Sequence, residues 1–509
     1  MAKEVITSRF RPPDQSIHEA ISEDRTAYHQ EPARIASFRL YARGEVQLQL
    51  TAKQKAILKG ITGHEFCDNL CHEVIAGSRD RLTFLRWECP DQTVNDELGD
   101  FYKYARLLDR QGEIHYDSMR DGNHAVGLMW ETGNPLPSPS SPREAGAEPE
   151  YDNYSPDTTE DQGKVKLYRE DWWDGCSGVF IAYDCQDDPV YAVKEWKTKD
   201  TPTKWRRNIW FTDRLERWIS DDGINWDGIT LQEDEGLWPF PWLNNDGTPM
   251  GIPYIHYPNA GRGSLIRNYG ISELDGGVRG YQDQINDLQW AMSGAGRMTA
   301  YLIYYIFGIA RGTNLTVGPG ELWKADKADV KAGTLQPGDM KPLLDLYNQK
   351  LRSFARMTRT PLHIITGDWP SGEALMRAEQ PAIGKANSQK NKYMDCWSRV
   401  GHTYVKIRNR FSGKPPLNAD LVRAPISSVF SSVERRDPLS LSLIVANLKD
   451  IISPQEAMRM MERWSDDQIN QIMKEKQDNQ QALLDAQQTA FDRGTAPGSS
   501  LPGSGGPGL

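Results

Sequence analysis

GHEFCDNLCHEV, residues 63–74, gathers His64, Cys67, Cys71 and His72, the densest set of metal-capable side chains in the sequence. On a helix these positions share one face, so a zinc site is geometrically allowed. Phe66, Leu70, Val74 and Ile75 in the same stretch make an equally good core stripe. His64-Glu65 does not complete HExxH, because position 68 is Asp, and Cys-x₃-Cys-His has no second pair at matching spacing. The expectation is a packed helix, with no metal and no cofactor. GRGSLIRNYG at 261–270 lacks the glycine spacing of a dinucleotide loop and the Lys-Ser/Thr of a P-loop, and no GxSxG elbow occurs.

Tryptophan offers a different chemistry. Nine of the 16 lie between Trp172 and Trp242, and exposed Trp rings bind sugars or bases by stacking. The same region reads as short strands, KVKLY, VFIAYD, PVYAVKEW and WRRNIWFTD, where Trp at alternating positions serves core and cross-strand packing. Asp221-Asp222 and Glu233-Asp234-Glu235 read as turns and solvated edges. No constellation supports catalysis, so the chain is not read as an enzyme.

The elements that hold these residues belong to a chain of 509 residues, long enough for several cores, with 26% charged residues. A net charge of −10 argues against coating nucleic acid through one large basic face, though not against surrounding DNA loosely. Six cysteines without a paired framework suit reduced thiols. MAKEVITSRFRPPDQS has no signal-peptide pattern, and MTAYLIYYIFGIA at 298–310 is shorter than the roughly 20 residues of a membrane span. That run is expected in a core or a subunit interface, and no membrane association is expected.

Residues 1–132 read as amphipathic helices, with AKQKAILKGITGHEFCDNLCHEVIAG and LGDFYKYARLLDRQGEIHYDSMRDG the clearest stretches. The Pro-, Ser- and acid-rich 133–163 reads as a disordered insertion. A β-rich segment covers 164–271. The period then changes: Leu274, Val278, Tyr281, Ile285, Leu288, Met292 and Ala295 recur at fours and threes. This predicts one helix over 272–299, with Ser272 as N-cap and Asp275 completing a capping box. The seam lacks an intrachain partner long enough to cover it. Short strands and turns fit 300–340. A second helix at 341–359 carries the stripe Leu343, Leu344, Tyr347, Leu351 and Phe354, with Lys350, Arg352, Arg356 and Arg359 elsewhere around it, and Pro361 stops it. PLHII at 361–365 is an apolar, strand-like patch before a Gly-Asp-Trp-Pro turn. From 371 to 437 a long helix is capped by Ser371 and kinked at Pro381 and Gly384, with Tyr393, Trp397, Val400, Tyr404, Ile407 and Phe411 as its stripe. Two or three helices at 438–491, one starting at Ser453-Pro454, precede a disordered tail at 492–509.

Three passages give this series a family likeness: GIPYIHYPN running through YGISELDGGVRGYQDQINDLQWAMS, YNQKLRSFARMTRTPLHIITGD, and PSGEALMRAEQPAIGKANSQKNKYMDCWSRV. Together they resemble the portal proteins of long-tailed double-stranded DNA bacteriophages. The resemblance implies an α+β fold with portal architecture: an α/β wing, a helical stem, a small α/β clip and a helical crown. The stem would be 272–299 and 341–359, the clip 300–340, the crown 438–491. Residues 360–370 would be a tunnel loop, with Leu362, His363, Ile364 and Ile365 next to DNA. Lys350, Arg352, Arg356 and Arg359 are candidates to line the channel. A ring of about twelve copies at one capsid vertex is implied, a closed heterologous assembly. The implied partners are double-stranded DNA passing without sequence specificity, the terminase large subunit, a head–tail connector (adaptor) protein, and major capsid and scaffolding proteins. The implied setting is the virion, after assembly in the host cytoplasm, with roles in DNA packaging and genome ejection. The alternative is a carbohydrate- or receptor-binding virion protein that uses the Trp-rich 172–242 segment.

Overall fold

Alternating apolar residues in the Trp-rich segment form strands where the sequence places them. A computed structural model describes residues 6–28, 32–46, 68–131, 163–199, 202–231, 236–261, 268–300, 303–307, 331–335, 339–367, 371–417, 425–434, 453–460 and 466–494. The chain divides into two units, 1–433 and 434–509. Its fold is α+β, mixing helices with antiparallel strands.

In the first unit, strands β1 (Ile6–Phe10), β5 (Gly178–Tyr183), β6 (Pro189–Lys197), β7 (Trp205–Trp210), β8 (Arg214–Ser220) and β9 (Asp227–Leu231) form an antiparallel sheet in the order β1-β9-β8-β7-β6-β5. The short β10 (Phe240–Pro241) pairs with β8. Trp172, Trp173, Trp210, Trp218, Trp226 and Trp242 are buried, and Trp196, Trp205 and Trp238 are half-buried. They pack on one another: the Trp210 and Trp242 ring centroids lie 4.8 Å apart, and those of Trp218 and Trp238 5.3 Å apart. None of the nine is left as an open platform for a sugar.

A three-stranded sheet, β11 (Tyr254–Pro258), β3 (Asn123–Glu131) and β4 (Lys164–Glu170), lies under the long helix α9 (Gly372–Phe411). The predicted stripe of α9 is its packed face: Tyr393, Trp397, Val400, Tyr404 and Ile407 are buried, and Trp397 stacks on Phe84 at 4.7 Å. Pro381 lies inside the helix, and Ser371 precedes it in extended conformation without a side-chain cap bond.

Several expectations need correction. Residues 1–132 are not helical throughout, since β1, β2 (Phe84–Glu88) and β3 fall within them. LGDFYKYARLLDRQGEIHYDSMRDG is two helices, α4 (Gln92–Tyr104) and α5 (Leu107–Asp121), because Arg106 adopts φ 53° and breaks the ladder. The helix read from Ser272 begins at Val278 as α6 (Val278–Ala300). Gly276 and Gly277 take φ 62° and 93°, which a continuing helix cannot include, while Asp275 pairs with Arg34 instead of capping. α6 also has an intrachain partner, α7 (Lys341–Thr358), which packs beside it. On α7, Leu351, Phe354, Ala355 and Thr358 are buried, whereas Leu344 is 51% exposed. Of the apolar run 298–310, Phe307, at the end of β12 (Ile303–Phe307), is 65% exposed. Among the described residues no helix is long and apolar enough to cross a membrane.

β12 pairs with β13 (Lys331–Leu335) in an antiparallel hairpin, as the turn-rich composition predicts. In the second unit, α10 (Pro454–Met460) starts after Ser453, whose carbonyl accepts from the Ala457 N–H at 2.9 Å. α11 (Asp466–Gly494) runs past the point where the disordered tail was expected to begin. The rest of that tail, and the insertion at 133–162, lie outside the described residues.

The register of β3 and β4 makes the insertion removable. Glu131 pairs with Lys164 and Trp130 with Val165, so the residues that flank 132–163 already stand opposite each other. Replacing 132–163 with Asn-Gly closes a two-residue hairpin. Shortening a loop by this much removes roughly 2 kcal/mol of closure entropy. The variant is expected to be soluble, to melt at or above the wild-type temperature by circular dichroism, and to keep its oligomeric mass. Insoluble protein would show that the insertion is structural.

Candidate functional site

The passage at 360–367 is built on the end of α7. Arg359 terminates that helix in the left-handed region (φ 54°), and the Thr360 N–H reaches back to the Ala355 carbonyl at 3.0 Å. Thr358 Oγ1 donates to the Phe354 carbonyl at 2.9 Å, closing the turn. Pro361 then resets the chain, and Leu362–Thr366 form a short helix, α8, instead of the strand-like patch. The reason is local. Proline supplies the extended entry, and Gly367 at φ 76° ends the helix with its N–H on the His363 carbonyl at 2.9 Å.

α8 separates the four residues assigned to it. His363 is buried, with Nε2 3.5 Å from Glu379 of α9, and Glu379 also faces Arg81 at 3.5 Å. Ile365 packs against the main core. Leu362, Ile364 and Ile365 are half-buried, and Thr366 and Gly367 are exposed. His363 and Ile365 therefore hold the segment in place, and Leu362 and Ile364 are the apolar side chains it offers outward.

The four basic candidates also divide. Lys350 donates to Gln284 Oε1 at 2.8 Å and lies over the Tyr281 ring, so it is committed to α6. Arg352, Arg356 and Arg359 are exposed. Arg352 and Arg356, one turn apart, share one side of α7, and Arg359 caps its C-terminus.

Sequence reasoning missed the junction that roots both helices. Lys385 of α9 is buried, its Nζ 3.4 Å from Glu273 Oε2 and 3.2 Å from the Thr358 carbonyl. Glu273, also buried, accepts from Asn259 Nδ2 at 3.0 Å and Gln389 Nε2 at 3.1 Å. One buried ammonium thus ties the entry of α6 to the end of α7. A Cβ at Gly261 would collide with Glu273 and Gln389, so a larger residue there would have to displace the side chains of this junction. The signal was present: Lys385 and Gln389, one helical turn apart, extend the Tyr393–Ile407 stripe toward the N-terminus, and polar groups on a buried face need partners.

The zinc reading gains no support from its described half. Cys71 is buried in α3 (Leu70–Arg79), and His72 Nδ1 is 3.0 Å from the Tyr116 hydroxyl. His64 and Cys67 lie outside the described residues. Asp117, His124 and Asp171 bring ligand atoms within 4.8 Å of one another. Guanidinium groups already occupy that cluster: Arg120 lies 2.8 Å and Arg169 3.7 Å from Asp117, and Arg39 3.8 Å from Asp171. Burial pushes the Asp117 carboxyl up to about 6 and the His124 imidazole down to about 3. The group is an ion-pair network with a neutral histidine, a poor cation site.

With this geometry in place, a family model described as phage portal protein, SPP1 Gp6-like, matches residues 159–482. The chain belongs to this portal protein family. The match contains α6, α7, α8 and α9 within one continuous span. Membership makes the chain a structural component of the phage capsid, and the α+β portal architecture follows with it. No curated protein matches the chain.

Proposed function

We propose that this portal protein forms a closed ring at one capsid vertex and serves as the channel for DNA packaging and genome ejection. The observation that carries the reading is the family match, which spans the paired helices α6 and α7 and the segment between α7 and α9. In this reading α6 and α7 are the stem, 300–340 is the clip and 438–491 the crown. The wing comprises 1–132, 164–271 and 371–437. Leu362 and Ile364 face the channel, held there by His363 and Ile365. The clip docks the terminase large subunit during packaging and the head–tail connector afterwards. ATP hydrolysis belongs to the terminase, and the portal supplies a passage without a catalytic step. The net charge of −10 suits that role, since each neutralised phosphate adds affinity and would slow moving DNA.

Electron microscopy of negatively stained purified protein, with native mass spectrometry, tests the ring. Closed rings of about twelve copies with an axial hole are expected. Monomers alone at micromolar concentration, with or without capsid and scaffolding proteins, would overturn the proposal.

A further inference from the structure

The α6–α7 pair carries two opposite charges on two different sides. Lys350 meets α6 through Gln284, and Arg352 follows two residues later, roughly 200° around the helix. Arg352 and Arg356, one turn apart, therefore turn away from α6, and Arg359 follows at the end of α7. On α6 the buried centre is Ile285. Asp283 and Asp287 flank it two residues to either side, so both lie near the opposite face, one turn apart. Among the described residues none of these five side chains forms an ion pair. Asp283 accepts from the Tyr41 hydroxyl at 2.8 Å, and Asp287 is exposed. The two carboxylates also disfavour each other: partial burial and then the Asp283 charge hold the Asp287 carboxyl above its ordinary value.

An arginine stripe alone would suit phosphate, but an acidic pair would not. Both faces are used at once only when one copy's acidic face meets the next copy's basic face, head to tail. That contact is heterologous, and it closes into a ring if the rotation allows. We propose that Asp283 and Asp287 of one copy pair with Arg352, Arg356 and Arg359 of its neighbour. This rests on the ring reading above and names the contact that closes it.

Two charge-reversal variants test the pairing: Asp283→Arg/Asp287→Arg and Arg352→Glu/Arg356→Glu. Each alone places like charges across the contact, and each is expected to lose at least about tenfold in ring yield by native mass spectrometry. Mixed in equal amounts, the two present opposite charges at every contact, and mixed rings of alternating composition are expected. Circular dichroism melts check that both variants fold. The single Asp287→Lys change, which leaves the Tyr41 bond intact, is expected to weaken assembly in the same direction. Folded variants that fail to assemble even when mixed would overturn the proposal. So would wild-type ring yield from Arg352→Glu/Arg356→Glu together with lost DNA packaging, which would place the arginines in the channel. Absence of rings from the wild-type protein would instead sink the ring reading itself, a result separable from either.

Discussion

Replacing Ile364 with Asp is expected to give soluble rings that no longer fill capsids with DNA. Ile364 is half-buried on α8 and, among the described residues, is not one of those packed on the main core, so the change is expected to leave the chain's own packing largely intact. Its neighbour Ile365 is packed there, and Ile365→Asp buries a carboxylate at a cost of several kcal/mol. The pair of substitutions separates folding from passage, because one residue serves each. A unit charge about 7 Å from a phosphate, at an effective dielectric of about 20, costs roughly 2 kcal/mol. A ring repeats that charge at every copy, in a space where salt screens poorly. DNA protected from nuclease inside capsids should therefore fall well beyond tenfold, while ring mass and melting temperature stay near wild type. Normal packaging by the Ile364→Asp rings would remove this segment from the channel. Insoluble Ile364→Asp protein would make α8 an ordinary core element.

How much of this was legible in the sequence depends on where the periodicity is carried. The α9 stripe Tyr393–Ile407 and the strands from Lys164 to Leu231 are local patterns with strong side-chain preferences, and they read correctly. The start of α6 did not. Ser272 and Asp275 satisfy a capping box on paper, yet two consecutive glycines with positive φ postpone the helix to Val278. Ser272 serves the turn instead, with Oγ accepting from the Leu274 N–H at 3.0 Å. The break at Arg106 carried no signal, since nothing in the local residue types demands a left-handed arginine. α8 differs from the strand reading because Leu362, Ile364 and Ile365 fit either a strand or a helical turn, and only the flanking Pro361 and Gly367 decide. The inward turn of His363 brings it beside Glu379, 16 residues away, and could not be read from spacing.

The hidden junction gives the other large effect. Glu273→Leu is expected to destabilise the first unit by about 3–5 kcal/mol, because it leaves the Lys385 ammonium buried without its counter-charge. What remains to Lys385 is the Thr358 carbonyl at 3.2 Å, and Asn259 and Gln389 lose the carboxylate their amide groups donate to. Lys385→Met is milder: it keeps most of the apolar stem, and Glu273 keeps two amide donors. Combining Lys385→Met with Glu273→Leu replaces the whole pair by apolar groups, and buried pairs removed in this way often cost little. The double variant is thus expected to be more stable in urea than Glu273→Leu alone, a coupling that simple loss of volume would not produce. Because Lys385 also holds the end of α7, Glu273→Leu should loosen both helix roots at once. Hydrogen exchange should rise at 272–280 and 355–360 together, before the α9 stripe opens. Exchange that rises at only one root would show that Lys385 does not join them, and wild-type stability of Glu273→Leu would show that the pair is not buried as charges.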